Sequence, residues 1–111
     1  MAGSTKKMKS MDKLDELFKL QKEFQEKYNY QPELSQIAAA LTAEGGELWN
    51  ESGGKWWKKA KLSKAKQVGE LVDILHFFLL ACLNLGITPS ELFEAYVAKL
   101  GVNYKRQEGN Y

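Results

Sequence analysis

Cysteine is all but missing from this 111-residue chain. Cys82 is the single one, so no internal disulfide can form, and its apolar neighbours are those of a buried thiol. A free thiol of this kind fits a reducing cytoplasm. No stretch alternates apolar and polar residues as a strand would, and no segment repeats, which leaves helix as the regular structure to expect. The longest apolar run, 71–85, is interrupted by Asp73, His76 and Asn84 and is too short to span a bilayer, so no membrane association is expected. A net charge of +2 is too small to imply a nucleic-acid partner by itself. The N-terminus carries no apolar core behind its lysines, so no signal peptide is expected there. Residues 1–11 read as a polar, disordered leader, and 12–111 as one domain, long enough for a single core.

Apolar spacing predicts four helices. The first covers 12–28, with Leu14, Leu17, Phe18, Gln21, Phe24, Gln25 and Tyr28 at helical intervals. Pro32 is placed to open the second, which carries Leu34, Ile37, Leu41 and Leu48 to residue 51 and stops at Ser52-Gly53-Gly54. The third, 63–85, is apolar on nearly every side after Leu71, the pattern of a helix central to something larger than itself. Gly86 reads as its C-cap, and Thr88-Pro89-Ser90-Glu91 as a capping box that opens the fourth helix, to residue 106. The fold class is all-α.

Two acidic pairs interrupt these apolar faces. Glu44 with Glu47 and Glu70 with Asp73 each stand at i, i+3, so each pair aims two carboxylates at one spot. Anions in a core-facing sector are costly without a compensating cation. Four carboxylates from two facing helices suit a hard divalent ion, here magnesium, which takes oxygen ligands and retains waters for a phosphate substrate. The bland alternative makes them rim residues satisfied by lysines, of which Lys55, Lys58, Lys59, Lys61, Lys64 and Lys66 crowd one stretch.

Lys99, Asn103 and Arg106 line one face of the fourth helix, at i, i+4 and i+7. Alone that is a solvated face; beside a metal site it is the cationic partner a triphosphate needs. Gln21 and Gln25 offer amides whose donor and acceptor match a uracil edge, although glutamines on an amphipathic helix are usually exposed. His76 by itself is more often a satisfied core residue than a ligand. Trp56 and Trp57, in a lysine-rich loop, serve either as lids on the core or as a platform for a base.

The spacing Glu44-x-x-Glu47, 22 intervening residues (48–69), then Glu70-x-x-Asp73 resembles the all-α nucleoside triphosphate pyrophosphohydrolases, the superfamily of MazG-like enzymes and dimeric dUTPases. Further segments resemble the dimeric dUTPases in particular: Leu20-Gln21-Lys22-Glu23-Phe24, Glu47-Leu48-Trp49-Asn50-Glu51, Lys55-Trp56-Trp57-Lys58 and 70–77. The most specific is the tail, Tyr96-x-x-Lys99-x-x-x-Asn103-x-x-Arg106-Gln107-x-x-x-Tyr111. The resemblance implies a four-to-five-helix MazG-like bundle completed by dimerisation. It implies magnesium on Glu44, Glu47, Glu70 and Asp73, with Glu47 as the base that positions or deprotonates water. Gln21 and Trp57 would contact uracil, His76 and Asn103 would lie near deoxyribose, and Phe78 would stack near the base. Lys55, Lys99 and Arg106 would grip phosphates, with Tyr111 closing over them. The chain is shorter than most of that family and lacks the helices that close over substrate there.

The resulting expectation is a cytoplasmic, magnesium-dependent dUTP diphosphatase, a homodimer or higher homo-oligomer with its third helix central. The rivals are a MazG-like enzyme of other or broader nucleotide specificity and a non-catalytic helical module with a lysine-rich patch.

Overall fold

The computed structural model describes residues 12–109. The expected leader, 1–11, and Tyr111 lie outside the described residues. Four helices follow in order: α1 (Lys13–Lys27), α2 (Leu34–Glu51), α3 (Lys64–Asn84) and α4 (Pro89–Gln107). No strand is present among the described residues.

Local chemistry sets their ends. Asp12 Oδ1 accepts the Asp15 N–H at 2.9 Å, and Ser63 Oγ accepts the Lys66 N–H at 3.3 Å, supplying side-chain partners to N-terminal amides of α1 and α3. The Thr88 capping box forms in full: Glu91 N–H donates to Thr88 Oγ1 at 3.1 Å and Thr88 N–H donates to Glu91 Oε1 at 2.9 Å. Gly53 and Gly86 take φ of +80° and +70° just past α2 and α3, the left-handed geometry that glycine adopts without strain. Pro32 does not open α2. It precedes the capping residue Glu33, whose N–H donates to Gln36 Oε1 at 2.8 Å. The Pro32 carbonyl accepts the Asn84 amide at 3.2 Å.

That last bond joins the start of α2 to the end of α3. At the opposite end Gln67 Nε2 donates to the Glu51 carbonyl at 2.9 Å. The two tethers fasten α2 and α3 as an antiparallel hairpin, with α1 packed against α3. Phe18, Leu79 and Cys82 form the core cluster, flanked by Leu14, Leu17, Leu83, Ile87 and Leu92, while Ile37 and Leu80 are almost completely enclosed. Burial raises the Cys82 pKa, so the thiol stays protonated and inert.

The core is small for the apolar content. Leu71, Val72, Leu75 and Phe78 on α3 are exposed, as are Phe93, Tyr96, Val97, Leu100 and Tyr104 on α4. The radius of gyration is 18.2 Å, against about 13 Å for a compact domain of this length. The sequence placed α3 at the centre of the structure; one chain covers only part of it. By length and apolarity alone α3 is enough to cross a bilayer. Its contact with α2 and its two carboxylates, set against Glu44, assign part of that surface to helix packing instead.

Candidate active site

The α2–α3 hairpin puts Glu44 opposite Glu70 and Asp73. One carboxylate oxygen from each of the three lies within 4.8 Å of the others. Glu44 and Glu70 are half-buried and Asp73 is exposed. Glu70 Oε1 is enclosed and has no hydrogen-bond partner. Desolvation pushes the Glu70 pKa up, and Glu44, Glu47 and Asp73 push it further. Among these neighbouring acids Glu44 contributes most to that shift.

Glu47 is exposed and stands outside the three-oxygen cluster, but close enough for its charge to act on Glu70. The ion pairs among the described residues are Lys13–Glu16 and Lys19–Glu23, both on α1. Among the described residues no lysine pairs with any of the four acids, which weighs against a lysine-satisfied rim. An all-oxygen donor set with an unpartnered, enclosed oxygen fits a hard divalent cation.

Asp73 belongs to a second feature. Between α1 and α3 runs an open groove of about 520 Å³ lined by Gln21, Phe24, Asp73 and His76, with Leu17, Leu20, Val72, Leu75 and Leu79 as its apolar walls. Gln21 is the buried polar residue of α1, contrary to the usual exposure of such a glutamine, and its Nε2 donates to Gln25 Oε1 at 3.1 Å. The Phe24 ring meets His76 edge-on at 5.7 Å between centroids, within the groove's lining. The sequence marks Phe24 as an apolar repeat of α1 and as part of a family-like segment, without a role at the site; its place beside the histidine depends on how α1 crosses α3.

Other expected residues are not gathered here. Phe78 is exposed on α3 and does not line the groove. Trp57 is exposed in the α2–α3 loop, edge-on to Trp56 at 4.7 Å and tilted against Trp49 at 6.3 Å. Lys55 lines a separate recess of about 310 Å³ with Lys58, Lys59, Lys61 and Lys66. Gly54 sits against the Trp49 indole so closely that a Cβ there would collide with it. Lys99, Asn103 and Arg106 are exposed on α4, whose backbone comes near α1 and neither α2 nor α3. Asn84, which shares a sector with Glu70 and Asp73 in the sequence, is a structural tether to Pro32.

Set beside known proteins, residues 13–88 match the sequence profile of a family described as dUTPase. No curated protein and no solved structure matches the chain.

Proposed function

The chain belongs to this dUTPase family and is a dUTP diphosphatase, and on that premise we propose a magnesium-dependent enzyme releasing dUMP and pyrophosphate. The observation that carries the reading is the Glu44–Glu70–Asp73 cluster with its orphaned oxygen, sharing Asp73 with a groove that holds a buried amide.

Glu44, Glu70 and Asp73 would hold the ion, with Glu47 at its margin. When bound, magnesium supplies positive charge against the triphosphate and lowers the pKa of water. Glu47, exposed and beside the cluster, is the acid free to accept a proton from the attacking water. The groove takes the nucleoside: Gln21 presents an amide to the uracil edge and His76 stands near the sugar. Uracil would be chosen over thymine if this open groove closes against the base and leaves no room for the methyl group. In an apolar pocket one methyl is worth about 1–3 kcal/mol, so steric exclusion carries much of that choice. The resemblance would further give Trp57 and Phe78 to the base, Asn103 to the deoxyribose, and Lys55, Lys99, Arg106 and Tyr111 to the phosphates; of these, Trp57, Phe78, Asn103, Lys55, Lys99 and Arg106 do not line the groove within one chain and would have to be brought to it by a second copy. A homodimer or higher homo-oligomer would cover the stripes that a single copy leaves open on α3 and α4, and the single buried Cys82 thiol would suit a reducing cytoplasm.

A panel of nucleotides, with and without magnesium and read as pyrophosphate release, tests this reading. Release from dUTP far above dTTP and dCTP, and abolished by chelator, is the expected result. Comparable release from several nucleotides would replace it with a MazG-like enzyme of broad specificity.

A further inference from the structure

The turn from α2 into α3 carries more charge than the proposed reaction uses. From Lys55 to Lys66 the chain has six lysines and no acid, although its net charge is only +2, so the remainder is net acidic. Lys58, Lys59, Lys61 and Lys66 are exposed and, with Lys55, line the recess of about 310 Å³ at this end of the hairpin; Glu51 is the one acid in its lining. None of these lysines is in an ion pair among the described residues. The recess shares no lining residue with the α1–α3 groove, and none of the clustered acids borders it. Like charges crowded in this way repel. Lys64 and Lys66 also occupy the first turn of α3, where the helix dipole favours acids and none is present. The fold gains nothing from such an arrangement, whereas an anionic ligand does.

The loop is held in place. Gln67 Nε2 donates to the Glu51 carbonyl across its base, Ser52 Oγ donates to the Trp49 carbonyl at 2.6 Å, and the Lys58 N–H donates to the Lys55 carbonyl at 3.0 Å. Gly54 lies against the Trp49 indole, and Trp57 tilts against the same ring. Trp56 is placed differently. It meets Trp57 edge-on at 88° and is 83% exposed, so its indole stands open to solvent among the lysines and adds little to the core.

We propose that this loop is a second binding site, for single-stranded nucleic acid: Lys58, Lys59, Lys61 and Lys66 take phosphates along the strand and Trp56 stacks on an unpaired base. Lysines interleaved with an open aromatic face suit such a strand, because every base offers a π-face and every link carries a charge. A recess admits one strand in file, while a membrane presents a plane and a duplex keeps its bases stacked on one another. The site is independent of the proposed hydrolysis. Lys55 and Trp57, given substrate roles above, are not required for it.

Fluorescence anisotropy of labelled oligothymidylate and oligouridylate tests it, with chelator present so that no metal-dependent hydrolysis intervenes. Binding of either strand is expected, and the two arms report whether DNA or RNA is preferred. Four phosphate contacts should lower the affinity about fiftyfold between about 50 and 200 mM salt. Lys59→Glu combined with Lys61→Glu should weaken binding by more than about tenfold, and Trp56→Ala by about tenfold with the salt dependence unchanged. Both variants should keep the wild-type melting temperature and wild-type dUTP hydrolysis. No binding to either strand, equal binding of a duplex of the same length, capture of anionic phospholipid vesicles in place of the oligonucleotides, or unchanged affinity in both variants overturns the inference. So does a lysine double variant that loses hydrolysis while still holding the strand, since its lysines then serve the nucleotide. A protein that binds the strand and responds to both variants, yet releases no pyrophosphate from dUTP, keeps the second site and counts against the hydrolysis alone.

Discussion

The Phe24 ring stands at 81° to the His76 imidazole, an edge-to-face contact that ties α1 to α3 at the groove. Such a pair is worth about 0.5–1.5 kcal/mol beyond its buried area. Phe24→Ala is expected to lower the melting temperature by a few degrees and to weaken dUMP binding. Phe24→Tyr keeps the edge and should restore the affinity. Calorimetric titration of dUMP decides it: unchanged affinity in Phe24→Ala would mean that His76 needs no such support.

Glu70 predicts a pH dependence with a definite sign. Its pKa is raised in the fold, chiefly by burial, so the folded chain binds a proton more tightly than the unfolded one. The contribution of Glu70 to the stability of the metal-free protein should thus be fully present below the ordinary glutamate pKa and be lost as pH rises through the raised value. Glu70→Gln should flatten this slope and leave the metal-free protein at least as thermostable as wild type at neutral pH. The same substitution should abolish stabilisation by magnesium. Thermal melts across pH, with and without the ion, read all three.

Glu47→Gln and Asp73→Asn should each remove hydrolysis with the fold intact. They should differ in metal binding, because Asp73 contributes to the three-oxygen cluster and Glu47 stands outside it. Magnesium titration followed by tryptophan fluorescence should show weak binding in Asp73→Asn and a smaller change in Glu47→Gln. Full activity in both would end the metal reading.

Gln21→Ala should reduce affinity for a non-hydrolysable dUTP analogue by about tenfold, near 1.4 kcal/mol, through loss of a buried hydrogen-bonding edge. Trp57→Ala should also weaken the nucleotide, and neither change should alter magnesium affinity. An analogue that binds both variants as it binds wild type would remove them from the uracil site.

Arg106→Ala and Lys99→Ala should lower turnover more than binding if these groups meet charge that grows during cleavage. A loss on the order of a hundredfold in kcat is expected for Arg106, whose planar fork holds two oxygens, and a smaller one for Lys99. dUMP affinity should change less than dUTP affinity. Equal losses of both at unchanged turnover would make these two residues ordinary surface charge.

Much of the architecture was legible because its signals are local. Asp12, Ser63 and Thr88 cap the helices that follow them, and Gly86 ends α3, each through contacts a few residues apart. The spacing of Glu44, Glu70 and Asp73 sufficed to place them on facing helices. Pro32 misled because Gln36 turns back to cap Glu33, a competing local bond. Gln21 and Phe24 could not be placed from α1 alone, since the burial of one and the histidine contact of the other depend on the α1–α3 crossing. The course of α4 was hidden for a related reason. Its amphipathic pattern says that a face must be covered, and not by which chain.

The bare stripe on α4, if a second copy closes it as proposed, would also make concentration a property of the fold. Its apolar area would then contribute stabilisation through mass action, and the free energy of folding would depend on how much protein is present. Dilution should lower the melting temperature and quench activity together, and dUTP hydrolysis should rise more steeply than linearly with enzyme at the lowest concentrations. A cell that makes little of this protein would hold it largely as inactive single chains, with synthesis itself acting as the switch.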